Sequence, residues 1–491
     1  MEKGAEGGSP LDTAADTILI CGSVSFPCRR KRGTYMITRT VKEIAEMSEG
    51  VLTNEAFEGR LIKGVSTDSR KLAKGQLFIP LAGERFNGHV FAEQAFQEGV
   101  AAVLWNRSEP NPPEGKPVIL VDDTLEALQK LAKAYRNQLD VKVVGVTGSN
   151  GKTTTKDMIH AVLGTEYKVH KTEGNYNNHI GLPLTILAMP EDTEVAILEM
   201  GMSAKGEIDF LTRLARPDIA VITNIGESHL LELGSREGIA EAKLEIVNGL
   251  SKEGTLIYVG DEPLLTERLN QPPYDTKTFG EDPAFDYQLE DMTQTEEGTA
   301  FRVRGIENGF FIPVLGKHNV KNALAAIAAG DLLNVSRAHI AEGLTKLKVT
   351  GMRLELVKTP DGVAIINDAY NASPTSMKAA IELVEQMKGY GKKILVLGDM
   401  LELGEGEKAF HEEIGQAVNP DSIDFLFTYG ELGAYIAKGA LKHFPEHRVL
   451  HFNPEEKDSL KKTLKEKANT GDLILVKASR GMRLEDVIKD L

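Results

Sequence analysis

Residues 143–158 read VVGVTGSNGKTTTKDM and carry the most demanding spacing in the chain. Gly148 and Gly151 let the backbone turn tightly round a ligand with no Cβ in the way. Lys152 follows at once, and a helix starting near it aims its free N–H groups and dipole at the turn. Such a turn cradles phosphate. Lys152 would neutralise the β- and γ-phosphates, and the Thr153 hydroxyl would reach Mg²⁺. The full pattern G-x-x-x-x-G-K-[ST] is not met, because Val146 stands where its first glycine belongs and Gly145 is one place early. The shorter G-x-x-G-K-T of residues 148–153 remains, set between a β-branched run and a helical pattern.

Further polar groups stand where strands should end. The apolar run VAILE, residues 195–199, reads as a buried parallel strand closed by the carboxylate of Glu199. A carboxylate there sits at the carboxyl edge of the sheet, where open α/β folds bind ligands. A second run, residues 219–223, leads to His229. Thr153, Glu199 and His229 can then converge on one edge and hold Mg²⁺, one imidazole among oxygens being tolerated. Lys243 falls on the apolar stripe Ile239, Ala242, Ile246 and Leu250 of a helix predicted over residues 237–250. It is either a snorkelling stem or a lysine aimed at the metal site, where an ammonium would repel Mg²⁺ and a carbamate would add an anionic oxygen. Asn175, Asn177 and Asn178 crowd one loop, as a turn or as a face toward a polar ligand. Asn319 and Asn322 open an alanine-rich helix, as caps or as amides reading a nucleobase edge. Ser66, Thr67, Asp68, Ser69 and Arg70 suit a loop that binds a polar ligand, or a solvated turn. Arg353 and Asp368 are suited to a phosphate and a ribose hydroxyl.

These groups need a large scaffold. The chain has 491 residues, which predicts about three domains. A net charge of −15 without a long basic tract in the body argues against nucleic acid as the main partner. No apolar run is long enough to span a bilayer. Only Cys21 and Cys28 occur, which speaks against a disulfide framework and fits a reducing cytoplasm. Both lie in residues 1–35, a predicted disordered leader whose basic run Arg29-Arg30-Lys31-Arg32 follows its apolar piece, the reverse of a signal peptide; Met36 is a candidate start. The expected fold class is α/β in three domains. Residues 36–120 form a small N-terminal α/β domain, and residues 121–348 a central P-loop-type domain on a mostly parallel sheet. Residues 349–491 alternate strands and helices as a Rossmann-like domain, without the G-x-G-x-x-G of a dinucleotide site. Asp123 and Glu126 have the form of a capping box, opening a helix with Leu125, Leu128, Leu131 and Tyr135 on one face.

TGSNGKTTT, NYNNHIGLP, LEMG, TNIGESH, EAK, GKHNVKNA, NDAYNASP and LGDMLELG occur in that order. Together they resemble the Mur ligases of peptidoglycan synthesis, from about Met36 to the C-terminus. The resemblance implies an ATP-dependent amide ligase using Mg²⁺, a cytoplasmic monomer acting on small molecules, with no nucleic-acid or membrane partner. It implies that Gly148, Ser149, Asn150, Gly151, Lys152, Thr153 and Thr154 hold the phosphates. Glu199 and His229 are similar to the family's Mg²⁺ ligands, and Lys243 aligns with a lysine that several members carry as a carbamate. Lys152, Glu199, His229 and Lys243 would thus be the catalytic set, with Thr153 beside them at the metal. Asn319 and Asn322 resemble the adenine-side amides, and Arg353 and Asp368 the nucleotide contacts of the last domain. Ser66 to Arg70, with Asn175 and Asn178, would hold the UDP-sugar peptide. A nucleotide switch of another class would need neither the NYNNH loop nor the extra N-terminal domain.

Overall fold

The computed structural model describes residues 36–83 and 86–489, so the expected leader and both cysteines lie outside the described residues. The largest sheet has nine strands in the order Val169–Lys171, Val195–Glu199, Lys142–Thr147, Ile219–Ile222, Thr255–Val259, Asp275–Gly280, Tyr287–Thr295, Gly298–Val303, Phe310–Ile312. The first seven are parallel neighbours, and the last two pair antiparallel. Their continuous apolar runs are explained by burial on both faces. Val144 lies opposite Ile197 on one side and Ile219 on the other, so three strand ends meet at the phosphate turn. The helix Lys152–Leu163 packs on this sheet beside Lys317–Leu332. The small residues of the second helix permit that approach: a Cβ on Gly330 would stand 2.8 Å from Val162.

A five-stranded sheet precedes it, in the order Val51–Leu52, Val118–Val121, Ala102–Asn106, Leu77–Phe78, Val65–Ser66. The helix Thr124–Gln138 starts as expected, the Asp123 carboxylate accepting from the Glu126 N–H at 2.8 Å. Tyr135 donates to the Met189 carbonyl at 2.8 Å and Arg136 to that of Ala215 at 2.9 Å, which ties this helix to the larger sheet. One hydrophobic core accordingly runs through both sheets, from Ile37 to Leu347.

The third sheet has six strands, in the order Glu355–Lys358, Ala364–Asp368, Leu473–Lys477, Lys393–Gly398, Phe425–Tyr429, Val449–Phe452, all parallel but the first. It has its own cores on its two faces. Leu395 and Leu397 point into one, Ile394 and Val396 into the other, the two-residue period of a strand covered on both sides.

The helix predicted over residues 237–250 is a correction. It runs Arg236–Leu244 and then tightens into a 3₁₀ segment, Glu245–Gly249. The Thr212 hydroxyl donates to the Ile246 carbonyl at 2.6 Å, and a Cβ on Gly249 would stand 2.2 Å from the Thr212 carbonyl. A neighbouring helix thus draws this last turn out of α geometry.

The helices Glu407–Ala417 and Gly433–Ala440 meet backbone to backbone. A Cβ on Gly415 would come 1.9 Å from the Ile436 carbonyl, and one on Gly439 2.0 Å from that of Glu412. Gly415→Ala should therefore destabilise the protein by about 1–3 kcal/mol, the usual cost of overpacking. Chemical denaturation checks this, and an unchanged midpoint would show that the two helices are not in contact.

Candidate active site

A cavity of about 680 Å³ opens at the carboxyl end of the central strands. It is lined by the phosphate turn from Ser149 to Thr154, Asn175, Asn178, Glu199, His229, Asn319, Asn322, Arg353 and Asp368. Most of the residues singled out above are therefore brought together. Ser66 to Arg70 are not among the lining, nor is Lys243. The Ser66–Arg70 loop is closed on itself: Arg70 makes paired bonds to Asp68 at 2.8 and 2.9 Å, holding the Asp68 carboxyl down at about 2.

The turn is shaped by what lies behind it. Gly148 has φ 149°, and a Cβ there would fall 1.9 Å from the Thr223 hydroxyl. Gly151 has φ 80°, with Asn322 Oδ1 2.6 Å from where its Cβ would be. The Asn150 N–H donates to Asn224 Oδ1 at 2.8 Å, and the Asn150 carbonyl accepts from the Thr223 hydroxyl at 2.5 Å. Lys152 Nζ folds back to the Gly148 carbonyl at 2.7 Å, and desolvation lowers its pKa against the pull of Glu199. Thr153 is buried at the first turn of the helix.

Glu199 closes its strand as expected and is 2 % exposed. Its Oε1 accepts from Asn177 Nδ2 at 2.8 Å, while its buried Oε2 has no hydrogen-bond partner among the described residues. Lys156 Nζ stands 3.6 Å from that oxygen. His229 caps a short helix at φ 65°, and its Nδ1 lies 2.7 Å from Glu402 Oε2. Burial lowers the His229 pKa, although Glu402 opposes this. A neutral imidazole with its proton on Nδ1, facing Glu402, keeps the Nε2 lone pair for another partner.

These donors fit a hard cation in one respect that the structure decides: a buried carboxylate oxygen has no hydrogen-bond partner among the described residues. Among the described residues no cluster of three His, Cys, Asp or Glu side chains could hold a metal. Mg²⁺ needs no such cluster, since one or two protein carboxylates together with phosphate oxygens and water hold it. Lys243 is 2 % exposed, has no hydrogen-bond or ion-pair partner among the described residues, and is pushed well below an ordinary lysine pKa by burial and then by Lys152. A snorkelling stem does not fit such a place, and burial disfavours a charged ammonium there.

On the far side, Asn319 Nδ2 donates to the Leu315 carbonyl at 2.7 Å, and the helix cap is Gly316, so neither asparagine is a cap. The Arg353 guanidinium lies over the Tyr370 ring at 4.2 Å, and its buried Nε has no partner among the described residues. Asp368 is committed to the protein, accepting from Lys477 Nζ at 2.6 Å and from the Leu354 N–H at 3.2 Å. Lys156, Glu402, His318 and Lys477 were not legible as site residues. Only Lys156, one helical turn past Lys152, carried a local signal.

Three family models match the chain. One described as the Mur ligase family catalytic domain covers residues 61–136, the Mur ligase middle domain residues 146–330, and the Mur ligase glutamate ligase domain residues 352–480. The chain is 68% identical over 456 residues to the UDP-N-acetylmuramoyl-tripeptide–D-alanyl-D-alanine ligase of Bacillus subtilis, covering 93% of this chain and 99% of that protein. The structure of MurF from Acinetobacter baumannii superposes with a TM-score of 0.84 at 28% identity, covering 93% of this chain and 99% of that one. MurF ligase from Thermotoga maritima in complex with ADP gives 0.76 at 30% identity, covering 87% and 96%.

His318 also lines the cavity, and burial pushes its imidazole down to about 4 from 6.5. Between those values the unfolded chain takes a proton that the folded one refuses, so stability is lost as pH falls from 6.5 toward 4. Thermal melts of His318→Gln should show a shallower loss across that window than the parent; identical slopes would mean that the imidazole is solvated.

Proposed function

The chain belongs to the Mur ligase family, and on that premise we propose that it joins D-alanyl-D-alanine to UDP-N-acetylmuramoyl-tripeptide with hydrolysis of ATP. ADP and phosphate are released, and the UDP-MurNAc-pentapeptide precursor of peptidoglycan is formed. The observation that carries this reading is the meeting of a phosphate turn, an unpartnered buried carboxylate oxygen and a guanidinium from the third sheet's segment in one cavity. We take residues 36–120 as the domain for the UDP-sugar peptide, 121–348 as that for ATP and the metal, and 349–491 as that which closes over the nucleotide. The protein would act in the cytoplasm as a monomer.

A carboxylate is a poor electrophile toward an amine at neutral pH. Transfer of the γ-phosphoryl group to the terminal carboxylate of the tripeptide forms an O–P bond there and breaks the bond to ADP. The acyl carbon now bears a good leaving group. The free amine of D-alanyl-D-alanine attacks that carbon, the C–O bond to phosphate breaks, and the amine sheds its proton. Lys152 and the N–H groups of the turn hold the phosphates in line and meet charge as it develops on the transferring group. Arg353, which also lines the cavity, meets the same charge. Asn319 and Asn322 face the base, and Asn175 and Asn178 the acceptor peptide. Thr153, Glu199 and His229 would hold Mg²⁺, which neutralises phosphate charge when bound. Exclusion of water by the last domain protects the acyl phosphate from hydrolysis.

Phosphate release with purified protein, ATP, Mg²⁺ and UDP-MurNAc-tripeptide should require D-alanyl-D-alanine and yield the pentapeptide by mass. Lys152→Ala should abolish it, with circular dichroism unchanged. Release without dependence on D-alanyl-D-alanine, or normal turnover in the folded variant, overturns the assignment.

Lys243 is proposed to act as a carbamate. Burial and then the neighbouring Lys152 lower the pKa of its amine, which favours the neutral form that adds CO₂ with loss of a proton, and the resulting anion would lie next to the positive Lys152. Turnover should fall in CO₂-free buffer and return with bicarbonate; equal rates in both would assign Lys243 a packing role only.

A further inference from the structure

The helix Lys152–Leu163 carries, one turn beyond the phosphate turn, an aspartate that the mechanism above does not use. Asp157 is 2 % exposed, and both its oxygens are engaged. Lys171 Nζ reaches Oδ1 at 2.7 Å, with Lys156 Nζ 3.9 Å from the same oxygen. Oδ2 accepts twice from one residue far along the chain, the Thr350 N–H at 2.9 Å and the Thr350 hydroxyl at 2.7 Å. A buried carboxylate on a helix is costly unless it is paired, and here half of its pairing is spent on a single threonine.

Thr350 begins the short segment that brings Arg353 to the cavity. That segment has an unusual shape: Met352 and Leu354, on either side of Arg353, both lie in the left-handed region, at φ 61° and 51°. Non-glycine residues hold such a conformation only where the surroundings over-determine it. The Leu354 N–H is bound to Asp368 at 3.2 Å and the Met352 N–H to Glu355 at 3.0 Å, anchoring the segment to the third sheet. At its near end the anchor to the central domain is Asp157. Arg353 Nε, buried and without a partner among the described residues, is therefore presented by a chain pinned on both sides.

We propose that Asp157 is a positioning residue: through Thr350 it sets where Arg353 meets the nucleotide phosphates. The inference rests on the ligase reading and adds a residue to it. Asp157 touches no reacting atom. It ties the helix that holds one side of the phosphates to the segment that supplies the guanidinium on the other, so the two halves of the clamp share one reference point.

The test is ADP binding by calorimetry and the KM for ATP, measured in the full chain for Asp157→Asn, Arg353→Ala and the double variant. Loss of the charged hydrogen bonds should weaken ADP binding and raise KM about tenfold in Asp157→Asn, the scale of one such bond. The double variant should bind no more weakly than Arg353→Ala alone, because the two changes remove one interaction. Thr350→Val, which loses only the hydroxyl, should weaken binding in the same direction, and Thr350→Ser should restore it. That second pair carries the test if Asp157→Asn does not fold. A lowered melting temperature with unchanged nucleotide affinity would overturn the proposal and leave Asp157 a structural ion pair. So would effects of Asp157→Asn and Arg353→Ala that multiply in the double variant. A parent protein that binds no ADP would instead overturn the ligase reading itself.

Discussion

Backbone, not side chain, has to face the ligand at residues 148–151, and the rest of the molecule is built to allow it. The turn is pressed so closely on the next strand's end that a methyl group on Gly148 would overlap the Thr223 hydroxyl, at 1.9 Å. That contact exists only because the strands Lys142–Thr147 and Ile219–Ile222 are parallel neighbours in register. The same order puts Val195–Glu199 on the other side of the turn, so one sheet arrangement fixes the cradle, the carboxylate beside it and the loop leading to His229. A parallel sheet aligns strand ends by construction, which is why ligands gather there.

The charges nearest the phosphate turn oppose those of the chain. In a protein of net charge −15, Lys156 stands 3.6 Å from Glu199, Glu199 and Arg353 both act on Lys152, and Lys243 is buried close enough to be depressed by Lys152. Desolvation lowers both Lys152 and Lys243, so the cations are held where water cannot fully stabilise them. Such a cluster is relieved by an incoming polyanion. A triphosphate would offset the desolvated positive charge, and its own negative charge would favour a cation beside Glu199.

The strand, turn and helix at residues 143–158 were legible because each stage has a local signature: β-branched residues, glycines, then a helical period. Glu199 and the strands of the last sheet were legible for the same reason, as apolar runs ending in polar residues. What the sequence concealed are pairings across long separations. Glu402 against His229, Thr350 against Asp157 and Lys477 against Asp368 leave no periodicity, and each partner alone looks like a surface charge or a loop residue. The broken helix after Leu244 was hidden likewise, since Thr212, which draws its last turn tight, belongs to another helix. Ser66 to Arg70 pair Arg70 with Asp68 outside the cavity lining, so this cavity does not bear on their expected contact with the UDP-sugar peptide.

The seam between the third sheet's segment and the central one is polar, and its chemistry explains how the site can be both complete and open to substrates. The third sheet has cores separate from the one shared by the first two. Around the phosphate turn it is joined by a few polar contacts: Asn150 with Ser373 at 3.2 and 3.3 Å, Glu227 accepting from the Thr375 hydroxyl at 2.5 Å and its N–H at 3.3 Å, and His229 with Glu402 at 2.7 Å. Each such bond contributes about 0.5–1.5 kcal/mol net, little enough for bound nucleotide to decide whether the seam is made. Glu402 gives this a chemical consequence. The acid that faces His229 Nδ1 comes from across the seam, so the orientation of the imidazole depends on how the third sheet's segment stands against the central one. Arg353 reaches the cavity from the same segment, so the imidazole's orientation and the guanidinium's position depend on one interface rather than on two.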